Sequence, residues 1–117
     1  MSISRQNLTV IIVSFMSENV IHDCIGSIPK DISIIVVDNS NNKSFKNEIE
    51  KKYNNVRCIL SDNNIGMGAG NNYGLSEIDT DYGFILNPDV VLRNDTIDEI
   101  ILASKKIDTF SVISPIM

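Results

Sequence analysis

Two runs of β-branched residues limit what this chain can fold into. Leu8 to Phe15 reads Leu-Thr-Val-Ile-Ile-Val-Ser-Phe, and Ile32 to Val37 reads Ile-Ser-Ile-Ile-Val-Val. Neither run alternates apolar with polar residues, so neither suits a strand with one face in water. Continuous apolar runs of this length belong to parallel strands covered on both faces by helices.

The stretches between and after these runs supply the helices. Val20, Ile21, Cys24, Ile25 and Ile28 recur at helical spacing, with Ser17 as a candidate cap and Pro29 marking the exit. Phe45, Ile49 and Tyr53 lie four apart on a helix from about Ser44 to Tyr53. Val56 to Leu60 reads as a third strand and Tyr82 to Leu86 as a fourth. Asn94 or Asp95 starts a helix carrying Ile97, Ile100 and Ile101, and Ser111 to Ser114 opens a fifth strand. Strands alternating with helices predict a single α/β domain over residues 1–117. Its sheet is mostly parallel, with right-handed crossovers and helices on both faces, in the manner of a Rossmann-like fold.

Composition excludes several classes. With 117 residues, 43% hydrophobic and 21% charged, the chain is neither disordered nor membranous. A net charge of −5 argues against sequence-independent nucleic-acid binding, which needs a basic surface. The two cysteines, Cys24 and Cys58, fall inside a helix and a strand, as buried free thiols of a reducing cytosol would. No apolar run is long enough to span a bilayer, and the first seven residues are too polar for a signal peptide. A cytoplasmic location is expected, with peripheral attachment to the inner membrane face as an option.

Polar groups gather where strands end. Ser14-Phe15-Met16-Ser17, Asp38-Asn39-Ser40 and Asn87-Pro88-Asp89 each follow an apolar run. In a doubly wound sheet the carboxyl ends of parallel strands lie along one edge, where ligands bind. Pro88 fixes its own φ and keeps Asn87 extended, so Asp89 stands on a stiff corner suited to a hard cation such as Mg²⁺ or Mn²⁺. The plainer reading of that tripeptide is a Pro-Asp turn, and that of Asp38 an Asx-turn.

Gly66, Gly70 and Gly74 are four apart, and on a helix they form one smooth face. Each costs about 1 kcal/mol relative to alanine in a helix interior, so a close approach to a sheet or a ligand is expected there. The run is not a dinucleotide fingerprint, because its spacing differs and it follows the third strand. It is not a phosphate-binding P-loop, because no Gly-Lys-Ser/Thr is present. His22, the only histidine, is expected to be a solvated surface residue. Lys105-Lys106 reads as a solvated helix end, and Tyr73 and Tyr82 as half-buried aromatics.

Four motifs in order resemble family 2 glycosyltransferases of the GT-A fold, and the rhamnosyltransferase-like members above all. They are Val10-Ile11-Ile12-Val13-Ser14-Phe15-Met16 with Cys24-Ile25-Gly26-Ser27-Ile28, Val37-Asp38-Asn39-Ser40, the run from Asn64 to Gly74, and Leu86-Asn87-Pro88-Asp89-Val90. The resemblance implies a nucleotide-diphosphate sugar donor and transfer with inversion in polysaccharide or cell-surface glycan synthesis. It implies a glycan or lipid-linked acceptor and a divalent cation, Mg²⁺ or Mn²⁺. Implied nucleotide-binding residues are Ser14, Phe15, Asp38, Asn64, Gly66, Gly70 and Asn71. The implied metal ligand is Asp89, with Asn87 as a second candidate. Met16 and Gly68 depart from the family pattern. The resemblance covers the donor-binding half of such an enzyme, and the catalytic base is expected beyond Met117. The isolated chain is therefore expected to bind donor without turnover and to self-associate through the bare edge of its last strand. The rival reading is a non-catalytic nucleotide-binding module or a remnant acting with a partner. A receiver-like signalling domain fits less well, because Ser14-Phe15 and Ile113-Ser114 supply neither its acidic pair nor its lysine.

Overall fold

Because the β-branched runs are apolar on both faces, the sheet they form has to be covered twice. The computed structural model, which describes residues 3–62 and 64–105, shows how. A 3-10 turn at Arg5–Asn7 leads into β1 (Leu8–Ser14), α1 (Ile21–Gly26), β2 (Ser33–Asp38) and α2 (Lys43–Lys52). Then follow β3 (Val56–Leu60), α3 (Gly66–Ser76), β4 (Tyr82–Leu86) and α4 (Thr96–Lys105). The four strands lie in the order β3-β2-β1-β4. Every pairing is parallel, and Val10 of β1 sits between Ile34 of β2 and Phe84 of β4. The α/β class and the parallel sheet are as the sequence predicts. The expected fifth strand at Ser111 to Ser114 lies outside the described residues.

All seven residues of β1 are buried. Leu8, Val10 and Ile12 join Ile34, Val36, Phe84 and Leu86 on one face, beneath Ile21, Cys24 and Ile25 of α1, Phe45 and Ile49 of α2, and Ile97 and Ile100 of α4. The other face carries Val13, Ile35, Val37 and Ile59. That face is covered by α3, which lies against β1 and β2.

The glycines explain how closely α3 lies. A Cβ at Gly74 would stand 2.6 Å from Cγ2 of Ile11, and one at Gly70 would stand 2.8 Å from Cγ1 of Val13. Both are side chains of β1, so an added Cβ would have to displace part of the sheet's own packing. Gly66 does not share this contact; it is exposed at the first turn of α3 with φ +82°, a conformation other residues avoid.

Two local expectations are corrected. Ser17 does not cap α1, which starts only at Ile21 behind a Val20 that offers no side-chain cap. Instead the Ser17 hydroxyl donates to the Phe15 carbonyl at 3.2 Å, and the Ser17 carbonyl accepts from the amides of Val20 and Ile21. This loop is made possible by Met16 at φ 53°. Nor is His22 a solvated residue. Its Nδ1 lies 2.8 Å from the Tyr53 hydroxyl and its Nε2 lies 3.1 Å from Glu48, so the ring joins α1 to α2. Helical periodicity placed His22 off the apolar face correctly, but could not show a second helix passing there. Tyr82 is half-buried as expected, whereas Tyr73 is exposed.

The glycine contact gives a paired test by equilibrium urea unfolding. An added Cβ at Gly68 meets nothing within 4 Å. Gly68→Ala should therefore stabilise the fold by about 0.5–1 kcal/mol through helix propensity. Gly74→Ala gains the same propensity but must displace Ile11, so it should destabilise by about 1–3 kcal/mol. Shifts of the same sign would contradict the close approach.

Candidate functional site at the carboxyl edge of the sheet

All four strands run the same way, so their carboxyl ends share one edge. The strand order reverses between β1 and β4, since β2 and β3 lie to one side of β1 and β4 to the other. Loops diverge at such a point and leave a crevice. A crevice of about 300 Å³ opens there. It is lined by Phe15 and Ser17 after β1, Asn39 after β2, Asn64, Gly66 and Met67 at the entry to α3, and Pro88 after β4.

Asn39 organises its floor. The side chain is 4% exposed. Its Nδ2 donates to the Gly66 carbonyl at 3.2 Å, and its Oδ1 accepts from the Ser61 hydroxyl at 2.9 Å. Its amide donates to the Ser14 carbonyl at 2.7 Å. One residue thus ties the ends of β1 and β2, the residue after β3, and the first turn of α3. Asn64 fixes the other side of Gly66, accepting from its amide at 3.1 Å.

Of the residues singled out from the sequence, Phe15, Asn64 and Gly66 line this crevice. Phe15 is about half exposed, at 49%. Ser14 is 1% exposed, yet its hydroxyl has no hydrogen-bond partner among the described residues. The side-chain oxygen of Asn71 is likewise buried and unpartnered among them. Buried polar groups are almost always paired, so these two atoms call for an explanation.

Gly70 and Asp38 stand apart from the crevice wall. Gly70 is buried against Val13 and Asn39. Asp38 is fully buried, and both carboxylate oxygens are occupied. Oδ1 accepts from the amide of Ser40 at 3.1 Å and from its hydroxyl at 2.5 Å, and Oδ2 accepts from the Asn42 amide at 2.9 Å. Asn42 in turn caps α2 by accepting from the Phe45 amide. Asp38 thus builds the loop into α2 and is not among the residues that line the crevice. The neighbouring Asn39 supplies the crevice residue that the Asp-Asn-Ser motif contributes.

Asn87 and Asp89 are both exposed at the tip of the corner after β4. The Val90 amide closes the turn on the Asn87 carbonyl at 3.2 Å. Cys24 lies beneath, its Sγ 3.6 Å from the same carbonyl. Burial, with the negative charge of Asp89 added, pushes the Cys24 thiol up to about 12. Burial does the same to Cys58, helped by Asp38. Both cysteines are free and buried, as expected. Among the described residues no group of three or more His, Cys, Asp or Glu side chains could enclose a metal ion. Asp89 and Asn87 fit a different kind of site. Mg²⁺ is commonly held by one or two carboxylates while substrate phosphates and water complete its shell.

Asp38 offers a test of its assigned role. Asp38→Asn turns one acceptor oxygen into a donor facing an amide or hydroxyl. It should destabilise the fold by about 1–3 kcal/mol, read from the urea midpoint at constant slope. An unchanged midpoint would show that the loop does not depend on this carboxylate.

Comparison with known proteins agrees with the fold. The profile of Glycosyl transferase family 2 matches residues 9–116. The low-salt glycan biosynthesis hexosyltransferase Agl10 of Haloferax volcanii is 29% identical over 113 residues, covering 93% of this chain and 36% of its own length. The crystal structure of S. aureus TarS 1-349 superposes with a TM-score of 0.72 at 18% identity, covering 92% of this chain and 38% of that one. The mannosyltransferase PcManGT from Pyrobaculum calidifontis, in complex with GDP-Man and Mn²⁺, superposes with a TM-score of 0.69 at 16% identity, over 80% of this chain and 31% of its own. The chain thus spans about a third of the length of these relatives. A profile matching nearly every residue, on a parallel sheet of the GT-A type, makes this chain a member of glycosyltransferase family 2.

Proposed function

We propose that the carboxyl-edge crevice binds the nucleoside diphosphate of a sugar donor, and that the chain forms the donor-binding half of an inverting glycosyltransferase acting in glycan synthesis. The observation that carries this reading is the crevice at the point of strand reversal, with the exposed Asp89 corner at its rim. The UDP complex of TarS, which superposes with a TM-score of 0.71, and the GDP-Man complex of PcManGT are consistent with it.

Each residue then has a task. The half-exposed ring of Phe15 offers a flat apolar surface to a base. The Ser14 hydroxyl and the Asn71 oxygen, which bond to none of the described residues, supply hydrogen bonds to it. Gly66, without a Cβ, lets the donor approach the backbone at the start of α3. Asp89, with Asn87 beside it, holds a divalent cation whose other ligands come from the diphosphate. When bound, that cation neutralises charge on the leaving diphosphate. The proposal assigns the attacking hydroxyl, its general base and the acceptor pocket to the parts of the relatives that this chain does not span. Donor binding without turnover follows for the 117 residues alone, and a transfer assay separates this from a purely non-catalytic module. No helix among the described residues is long and apolar enough to cross a membrane. A nucleotide-sugar donor favours the cytoplasmic side, next to a lipid-linked or glycan acceptor.

Two substitutions test the site. Asp89→Asn should remove the Mn²⁺-dependent gain in UDP or GDP affinity, about tenfold or more, and leave uridine or guanosine binding as it was. Calorimetry with Mn²⁺ and with EDTA reads both. Ser14→Ala should leave stability unchanged or slightly higher while weakening nucleoside binding about three- to tenfold, the worth of one hydrogen bond. Equal affinities for Ser14→Ala and wild type would remove Ser14 from the site.

The sheet edge carries a separate expectation. Self-association is proposed through the bare outer edge of the fifth strand expected from Ser111 to Ser114, which lies outside the described residues. The isolated chain is expected to run above monomer mass in light scattering; a monomer at all concentrations would refute this.

A further inference from the structure

The Asn-Pro-Asp corner is exposed, yet it is held at both ends by one helix. At its start, the Asn87 carbonyl receives the Cys24 thiol at 3.6 Å. At its end, the Leu92 amide donates to the Ser27 hydroxyl at 2.9 Å. The same hydroxyl donates back to the Cys24 carbonyl at 2.7 Å, which leaves its lone pair aimed at Leu92. Cys24 is 0% exposed and Leu92 is 5% exposed, so both anchors are set in the core. Between them, Asn87, Asp89 and Val91 are exposed, and Pro88 and Val90 are half-buried. Pro88 stiffens the corner from within, but a stiff corner still needs something to place it relative to the crevice.

From this geometry we infer that Cys24 and Ser27 are positioning residues. The last turn of α1 clamps Asn87 and Leu92, and so sets where Asp89 presents its carboxylate to a metal-bound diphosphate. This rests on the donor-binding reading above and adds to it a pair of residues that touch neither donor nor metal. The pair belongs to the Cys-Ile-Gly-Ser segment, whose spacing of three puts Cys24 and Ser27 on one side of α1. Both side chains are small and weakly polar. They suit a clamp made through backbone atoms, since a longer side chain would push the corner away.

The test measures how tightly metal is linked to diphosphate binding. UDP and GDP are titrated into the full chain across a series of Mn²⁺ concentrations, and uridine and guanosine are titrated without metal. Ser27→Ala should raise the Mn²⁺ concentration needed for half-maximal enhancement by about tenfold, as supporting partners of metal ligands do, with metal-free nucleoside affinity unchanged. Ser27→Thr keeps the hydroxyl and should restore the wild-type requirement. Cys24→Ala should act in the same direction, and unchanged nucleoside affinity shows that each variant is folded. Should Ser27→Ala weaken metal-free and metal-assisted binding in equal proportion, or change neither, the clamp is merely structural and the inference falls while the donor site stands. Should wild type itself gain nothing from Mn²⁺, the metal reading of Asp89 falls, and the positioning role falls with it.

Discussion

The carboxyl edge depends on how closely α3 lies against β1. With Gly70 and Gly74 turned to the sheet, the helix backbone comes so near that a Cβ at either position would stand within 3 Å of Val13 or Ile11. That approach carries the first turn of α3 to the end of β2, where Asn39 can reach the Gly66 carbonyl. An alanine-faced helix would ride higher and leave Asn39 buried with an amide unsatisfied, at a cost of about 1–3 kcal/mol. The glycines weaken α3 as a helix but let it reach the crevice. Packing against the sheet therefore has to hold it, as it does for most short helices.

The two strand-end aspartates have opposite fates. Asp38 ends β2 in register with Ser14, inside the sheet, and its charge is met by two amides and a hydroxyl. Asp89 stands three residues beyond the end of β4, past a proline, and is exposed. A buried carboxylate that accepts from two amides and a hydroxyl of its own loop shapes backbone. An exposed one on a rigid turn keeps its lone pairs for something outside. Sequence position alone gives both the same description, a carboxylate after an apolar run, and so could not separate them.

This explains how far the sequence could be read. Strand runs, helix faces and the parallel sheet were legible because burial on both faces leaves a continuous apolar signature, and because β-α alternation allows few topologies. The glycine face was legible at Gly70 and Gly74 but misleading at Gly66, where a positive φ rather than a close approach calls for glycine. Phe15, Asn64 and the Asn87–Asp89 corner could be named because they follow strands. Asn39 was passed over for the aspartate beside it, since motif reading favours charge while the crevice uses an amide that donates and accepts at once. The His22 bridge and the Ser27 clamp depend on contacts 31 and 65 residues apart in the chain, and no local pattern announces those.

The unpartnered atoms bear most directly on purpose. A domain selected for stability alone would gain by replacing Ser14 with alanine or valine, since its hydroxyl is buried and bonds to nothing among the described residues. The same holds for Asn71 beside a buried glycine. Leaving such atoms unpaired costs about 1–3 kcal/mol each, an appreciable part of the net stability of a domain this size. On the proposed reading, a bound donor offsets that cost by supplying the missing partners. A donor molecule would then stabilise the fold as well as occupy it, by an amount that grows with its concentration over its dissociation constant. On the donor-binding reading, these two atoms, one on the last residue of β1 and one in the second turn of α3, are where the fold would gain most from a bound ligand.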